Sequence, residues 1–234
     1  YAICLMAVVR FLPLSSLVKD KKVQHLVFGC AASVFFLWIF QTGIYPGLQV
    51  HFLWLTALML VLGFRWAVVS SFLALLGVTL VGEESWRMFG VNGLLGVLAP
   101  LGLSYLIYSF VFHKLSRHVF VYIFLCAFLP GALMMAFKMY LLGGYFYLDG
   151  QYDWHTIHDN YLVLIWLLLF PEGMLNGMTM TLMVIYKPHW AYTFYEKFYI
   201  HNVCLSKLLW GDIEVDRKTP LHDNVVAFFI AKCS

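Results

Sequence analysis

Apolar residues run along this chain in long blocks cut by short charged breaks. A bilayer core of roughly 30 Å needs about 20 apolar residues per helix, with a range of about 17–25, and cutting the chain at its charges yields seven such blocks. They lie near 1–18, 23–42, 44–64, 66–82, 92–112, 119–148 and 160–186. Arg65 alone separates the third block from the fourth, which predicts a tight helical hairpin there. An odd number of spans argues against two equal inverted halves, and no internal repeat runs at a fixed period. The pattern predicts an all-α polytopic membrane protein, a single bundle of about seven transmembrane helices over 1–202, with a cytoplasmic tail of unknown role over 203–234.

Composition agrees with that reading and narrows the class. The 234 residues are 62% hydrophobic and only 12% charged, against roughly 25% charged in soluble domains. This excludes a disordered chain, a secreted disulfide scaffold and a nucleic-acid binder built on a basic surface. Arg10 lies inside the first apolar block and no small-residue cleavage site follows it, so a spanning helix is expected rather than a signal peptide. Cys4, Cys30, Cys126, Cys204 and Cys233 are widely spaced without a CxxC pair and read as reduced, structural thiols.

Charge then orients the bundle. Lys19, Lys21, Lys22, Arg65, Lys114, Arg117, Lys187, Lys197, Lys207, Arg217, Lys218 and Lys232 fall on one side, and Arg87 alone on the other. The positive-inside rule puts the first side in the cytoplasm, with the N-terminus out and the C-terminus in. The outer loops carry Glu83, Glu84, Asp149, Asp153 and Asp159, an acidic face that attracts cations unless it merely reflects the exclusion of lysine. Trp190, Tyr192, Tyr195 and Tyr199 read as an interfacial aromatic belt.

Ionisable residues inside spanning helices cost on the order of 2.5–3.5 kcal/mol each on insertion scales, so each needs a reason. Glu172 sits in Phe170-Pro171-Glu172-Gly173-Met174-Leu175-Asn176-Gly177, where Pro171 loosens the last span and Gly173 with Gly177 forms a close-packing face. At about 100° per residue, Glu172, Asn176, Thr179 and Met183 share one stripe. Two readings stand beside each other: Glu172 lines an ion path or holds a ligand, or it clamps neighbouring helices. Lys138 in the sixth span is its candidate partner, or a lysine that snorkels to an interface.

His51 follows the break at Pro46-Gly47 and places an imidazole just below the outer surface. Neutral imidazole suits nickel, cobalt, copper and zinc, although a lone histidine also serves as an ordinary hydrogen-bonding group. His155 and His158, with Asp153, form a loose outer-loop candidate for a divalent cation. His113, His118, His201 and His222 receive no role. Met134, Met135 and Met139 in the sixth span and Met174, Met178, Met180 and Met183 in the seventh offer soft thioethers suited to copper, or packing filler. No Walker motif, nucleophile elbow, HExxH, CxxCH or paired catalytic carboxylates occur, so the chain is not expected to be an enzyme.

Three segments carry a family resemblance over roughly 23–200: Pro46-Gly47 to His51 followed by Leu60-Val61-Leu62-Gly63 and Trp66-Ala67; Phe89-Gly90-Val91-Asn92; and Glu172-Gly173 with Thr179 or Thr181 after it. In order and spacing they resemble the CbiM/NikM-type family, the substrate-specific membrane components of energy-coupling-factor transporters for cobalt and nickel, and look closest to a proteobacterial branch with FPEGxLNGM in its last span. The resemblance implies a bundle that captures Co²⁺ or Ni²⁺ from outside and works with a transmembrane coupling protein and cytoplasmic ATPases. It implies a metal-ligand role for His51 and bundle or pathway roles for Asn92 and Glu172, and Asn176, on the same stripe as Glu172, is taken as a bundle or pathway residue with them. The family's other ligands come from an N-terminal Met-His segment, whereas this sequence begins Tyr1-Ala2-Ile3-Cys4. Either that segment lies outside the sequence or the square-planar site is lost.

The leading expectation is therefore the substrate-binding component of a transition-metal uptake transporter. The alternative is a non-transporting accessory subunit of a larger membrane complex, such as a metal-dependent enzyme. A third is a copper-handling membrane protein.

Overall fold

A computed structural model describes residues 1–10, 12, 20–43, 45–115 and 118–194. Among them the regular structure is helical: α1 (Ala2–Arg10), α2 (Lys21–Ile39), α3 (Leu55–Leu62), α4 (Phe64–Val81), α5 (Phe89–Lys114), α6 (Val119–Leu148) and α7 (Trp154–Tyr186). Five of these, α2 and α4 to α7, are long and apolar enough to cross a bilayer. The chain is an all-α, multi-pass membrane protein. Its predicted division at residue 203, and the belt residues Tyr195 and Tyr199, lie outside the described residues.

Local signals account for most helix ends. Asp20 accepts a hydrogen bond from Lys22 N at 2.9 Å and caps α2. Gly82, with φ of 90°, closes α4 in the left-handed conformation that glycine adopts without strain. α2 packs along α4, and α6 along α7. In the second pair the predicted small-residue face is used: a Cβ at Gly173 would stand 3.0 Å from the Phe128 carbonyl oxygen, and one at Gly177 3.3 Å from Phe128 Cβ.

The third predicted span departs from expectation. Only Leu55–Leu62 is helical, and eight residues rise about 12 Å, well short of a bilayer. The chain before it is a loop closed by the Thr42–Val50 bridge, in which Thr42 N donates to Val50 O at 3.0 Å and Val50 N to Thr42 O at 2.8 Å. Gly47 turns that loop at φ of 83°, against the ring of Phe146. Trp54 stops α3 from extending backwards because it is itself left-handed, at φ 54° and ψ 15°. All eight residues of α3 are buried, so this half-helix is the centre around which the long helices assemble. The predicted hairpin survives in altered form, with Gly63 alone between α3 and α4.

Candidate functional site

A buried half-helix leaves N–H groups at one end and carbonyls at the other without partners in its own backbone. Trp54, at the N-cap position, has no side-chain acceptor to supply. The acceptors come from α7 instead. Glu172 takes Leu53 N on one carboxylate oxygen at 2.9 Å and Trp54 N on the other at 2.8 Å. Asn176 Oδ1 accepts from Ala57 N at 2.8 Å, while its Nδ2 donates to Glu172 Oε1 at 2.7 Å. One turn further, Thr179 Oγ1 accepts from the Trp54 indole at 2.8 Å and fixes the left-handed residue.

The opposite end is closed in the same manner. Thr193 Oγ1 donates to Leu60 O at 2.8 Å, and Tyr192 N donates to Val61 O at 2.9 Å. The polar stripe Glu172, Asn176, Thr179 is thus occupied by the start of α3. Its geometry supports the clamping reading over the ion-path reading.

His51 lies just upstream of this clamp and faces a different set of groups. Trp38 Nε1 donates to Leu53 O at 3.3 Å, and its ring stands 5.3 Å from the His51 ring. His51 Nδ1 is 3.2 Å from the Phe52 carbonyl oxygen. A carbonyl only accepts, so Nδ1 carries the proton and Nε2 presents its electron pair. Lys138 Nζ stands 2.7 Å from that nitrogen. The lysine comes from α6, is only 5% exposed, and fits beside Gly96, where an added Cβ would lie 3.7 Å from Lys138 Cε. Lys138 makes no ion pair with Glu172 within 4 Å among the described residues; its hydrogen-bond partner is His51.

These two side chains help line a cavity of about 20 Å³ with Gln41, Gln49, Glu84 and Asn92. That volume admits one water or one ion and no organic molecule. Gln41 follows α2, Glu84 follows α4 and Asn92 lies in the first turns of α5, so the cavity sits at the end of the bundle that carries the loop 82–88. Asn92 Nδ2 donates to Glu84 Oε2 at 2.6 Å. Burial pushes the Glu84 carboxyl above the usual carboxylate range, with the Lys138 ammonium and the Asn92 amide pulling the other way. Gln41 Nε2 donates to Glu83 O at 3.0 Å, while Gln41 Oε1 is buried without a hydrogen-bond partner among the described residues.

The predicted residues therefore separate into two groups. His51 and Asn92 meet at the cavity, and Glu172 and Asn176 form the clamp. Glu84 and Gln41 had no individual signal in the sequence beyond the acidity of an outer loop. A π-helical stretch over Asn92–Leu98 turns Asn92, Gly96 and Val97 toward the cavity, as such stretches often do at functional sites.

The weaker candidates do not converge. Asp153 caps the start of α7 by accepting from Thr156 N, and His155 and His158 both turn to Asp159, at 3.1 and 2.8 Å. Among the described residues, no group of three His, Cys, Asp or Glu side chains is arranged to hold a metal ion. Met134, Met135 and Met139 are core residues, while Met174 and Met178 are exposed on the outer surface of α7. Cys30 and Cys126 are free thiols.

Neither the curated proteins nor the solved structures contain a match to this chain. The family described as "Cobalt uptake substrate-specific transmembrane region", CbiM, matches residues 1–190, and the chain belongs to that family.

Proposed function

We propose that the chain is the substrate-binding membrane component of a transition-metal uptake system, and that the cavity at His51 captures a single divalent ion, cobalt or nickel. The observation that supports this is His51 itself: a partly buried imidazole whose tautomer is fixed by Phe52, so that Nε2 offers its electron pair at a cavity of about 20 Å³. Glu84 and Gln41 supply oxygen atoms on the same wall. The charge pattern supports an N-out, C-in orientation in a bacterial inner membrane, which turns the cavity to the outside.

In this reading the chain performs no covalent chemistry. Its sequence carries no nucleotide-binding motif, so a transmembrane coupling protein and cytoplasmic ATPases drive release. Asn92 sets the Glu84 carboxylate, and Glu172 with Asn176 hold the segment that carries His51.

His51→Ala is expected to abolish binding of Co²⁺ in equilibrium dialysis of the detergent-solubilised protein, with helicity and elution unchanged. Undiminished affinity in that variant would sink the assignment.

A second reading rests on the Lys138 ammonium at His51, which makes the bundle self-sufficient without a metal. Here the chain is a non-transporting subunit of a larger membrane complex. Mass spectrometry of what co-purifies from native membranes separates the two: ATPases and a coupling protein support transport, and an unrelated enzyme complex supports the second reading. Copper has no comparable support, because no methionine lines the cavity among the described residues.

A further inference from the structure

We propose that Lys138 is a tethered competitor for the substrate ion: its ammonium holds the one electron pair that His51 offers, and a metal reaches Nε2 only by displacing it. The inference rests on the reading of the cavity as a metal site and adds a residue that sets which ions enter. An imidazole nitrogen has a single electron pair, so at Nε2 a hydrogen bond from Lys138 and a bond to metal exclude each other. Lys138 Nζ stands 2.7 Å from Nε2, closer than a metal and an ammonium can share the site. The cavity of about 20 Å³ offers space for one ion beside Nε2, and two cations side by side in a buried space repel strongly.

Displacement imposes the same cost on every ion, and the gain differs. Cobalt, nickel, copper and zinc bind imidazole nitrogen well, whereas magnesium and calcium favour oxygen and gain little from Nε2. Lys138 therefore works as a threshold that hard divalent ions do not cross. The structure gives the displaced side chain somewhere to go. Glu84 puts a carboxylate on the same cavity wall, toward which the ammonium can turn.

The test compares the wild type, Lys138→Met, Lys138→Gln and His51→Ala as full chains in mild detergent, by equilibrium dialysis against Co²⁺ with and without excess Mg²⁺. Removing the competing charge should tighten Co²⁺ binding at least about tenfold in Lys138→Met, and Mg²⁺ should now compete. Lys138→Gln keeps a donor without the charge and should fall between the two; it decides the matter if the methionine variant does not elute as a folded species. Unchanged or weaker Co²⁺ binding in both lysine variants, with binding lost in His51→Ala, overturns the competitor role and leaves the His51 reading standing. No Co²⁺ binding by any of the four proteins overturns both.

Discussion

Glu172→Leu is expected to break the bundle at its centre rather than to block a pathway through it. The leucine has the right size and polarity for a buried helix, yet it supplies no acceptor. Leu53 N and Trp54 N lose their partners, and Asn176 Nδ2 loses one of its two, the other being Glu172 O at 2.8 Å. Each buried donor left unsatisfied costs about 1–3 kcal/mol. The loss from the two donors together, about 2–6 kcal/mol, is a large share of a typical stability. Thermal unfolding in detergent should show the midpoint falling by about 10 °C or more.

Glu172→Gln should lie between the two, since one amide oxygen still accepts. A Glu172→Leu protein with the wild-type midpoint and no metal uptake would instead favour the ion-path role.

Gly131→Ala is expected to destabilise the same region from the other side. A Cβ at Gly131 would lie 2.8 Å from Asn176 Cβ, 2.9 Å from its Nδ2 and 3.0 Å from its Cγ. An ordinary side chain would swing aside, but Asn176 is fully buried and pinned by Ala57 N and by Glu172. Either α6 moves away from α7 or the clamp opens. Overpacking of this kind costs about 1–3 kcal/mol.

Gly144→Ala in the same helix is the control. Nothing lies within 4 Å of its would-be Cβ, and alanine favours a helix interior by about 1 kcal/mol over glycine. Opposite signs in thermal melts of the two variants are the expected outcome. Equal, small effects at both positions would mean that α6 and α7 do not meet as closely as described.

These two variants also show where sequence reasoning reached and where it stopped. The long spans were legible because a run of apolar residues bounded by charge has few solutions in a bilayer. The block 44–64 looks the same in hydropathy, but its described residues before Leu55 form a loop and Leu55–Leu62 a half-helix. Its boundary is set by Glu172 and Asn176, more than a hundred residues away, and no local rule reports a cap supplied by another helix.

The stripe Glu172, Asn176, Thr179 was legible as a polar face, since helical spacing puts those positions together. What it would touch was not. By charge and position Lys138 is a candidate partner for Glu172 or a snorkelling lysine, yet its ammonium turns to the neutral nitrogen of His51, while backbone N–H groups take the Glu172 carboxylate. Glu84 was hidden among other loop acids, as only the turn after α4 buries it against Asn92.

The measurement that bears most directly on the account is X-ray absorption at the cobalt edge, on the full chain loaded with one equivalent of Co²⁺. Imidazole nitrogen is expected in the first coordination shell of the wild type, and is expected to disappear in His51→Ala. An all-oxygen shell in the wild type, or the same imidazole signature in both proteins, would contradict it.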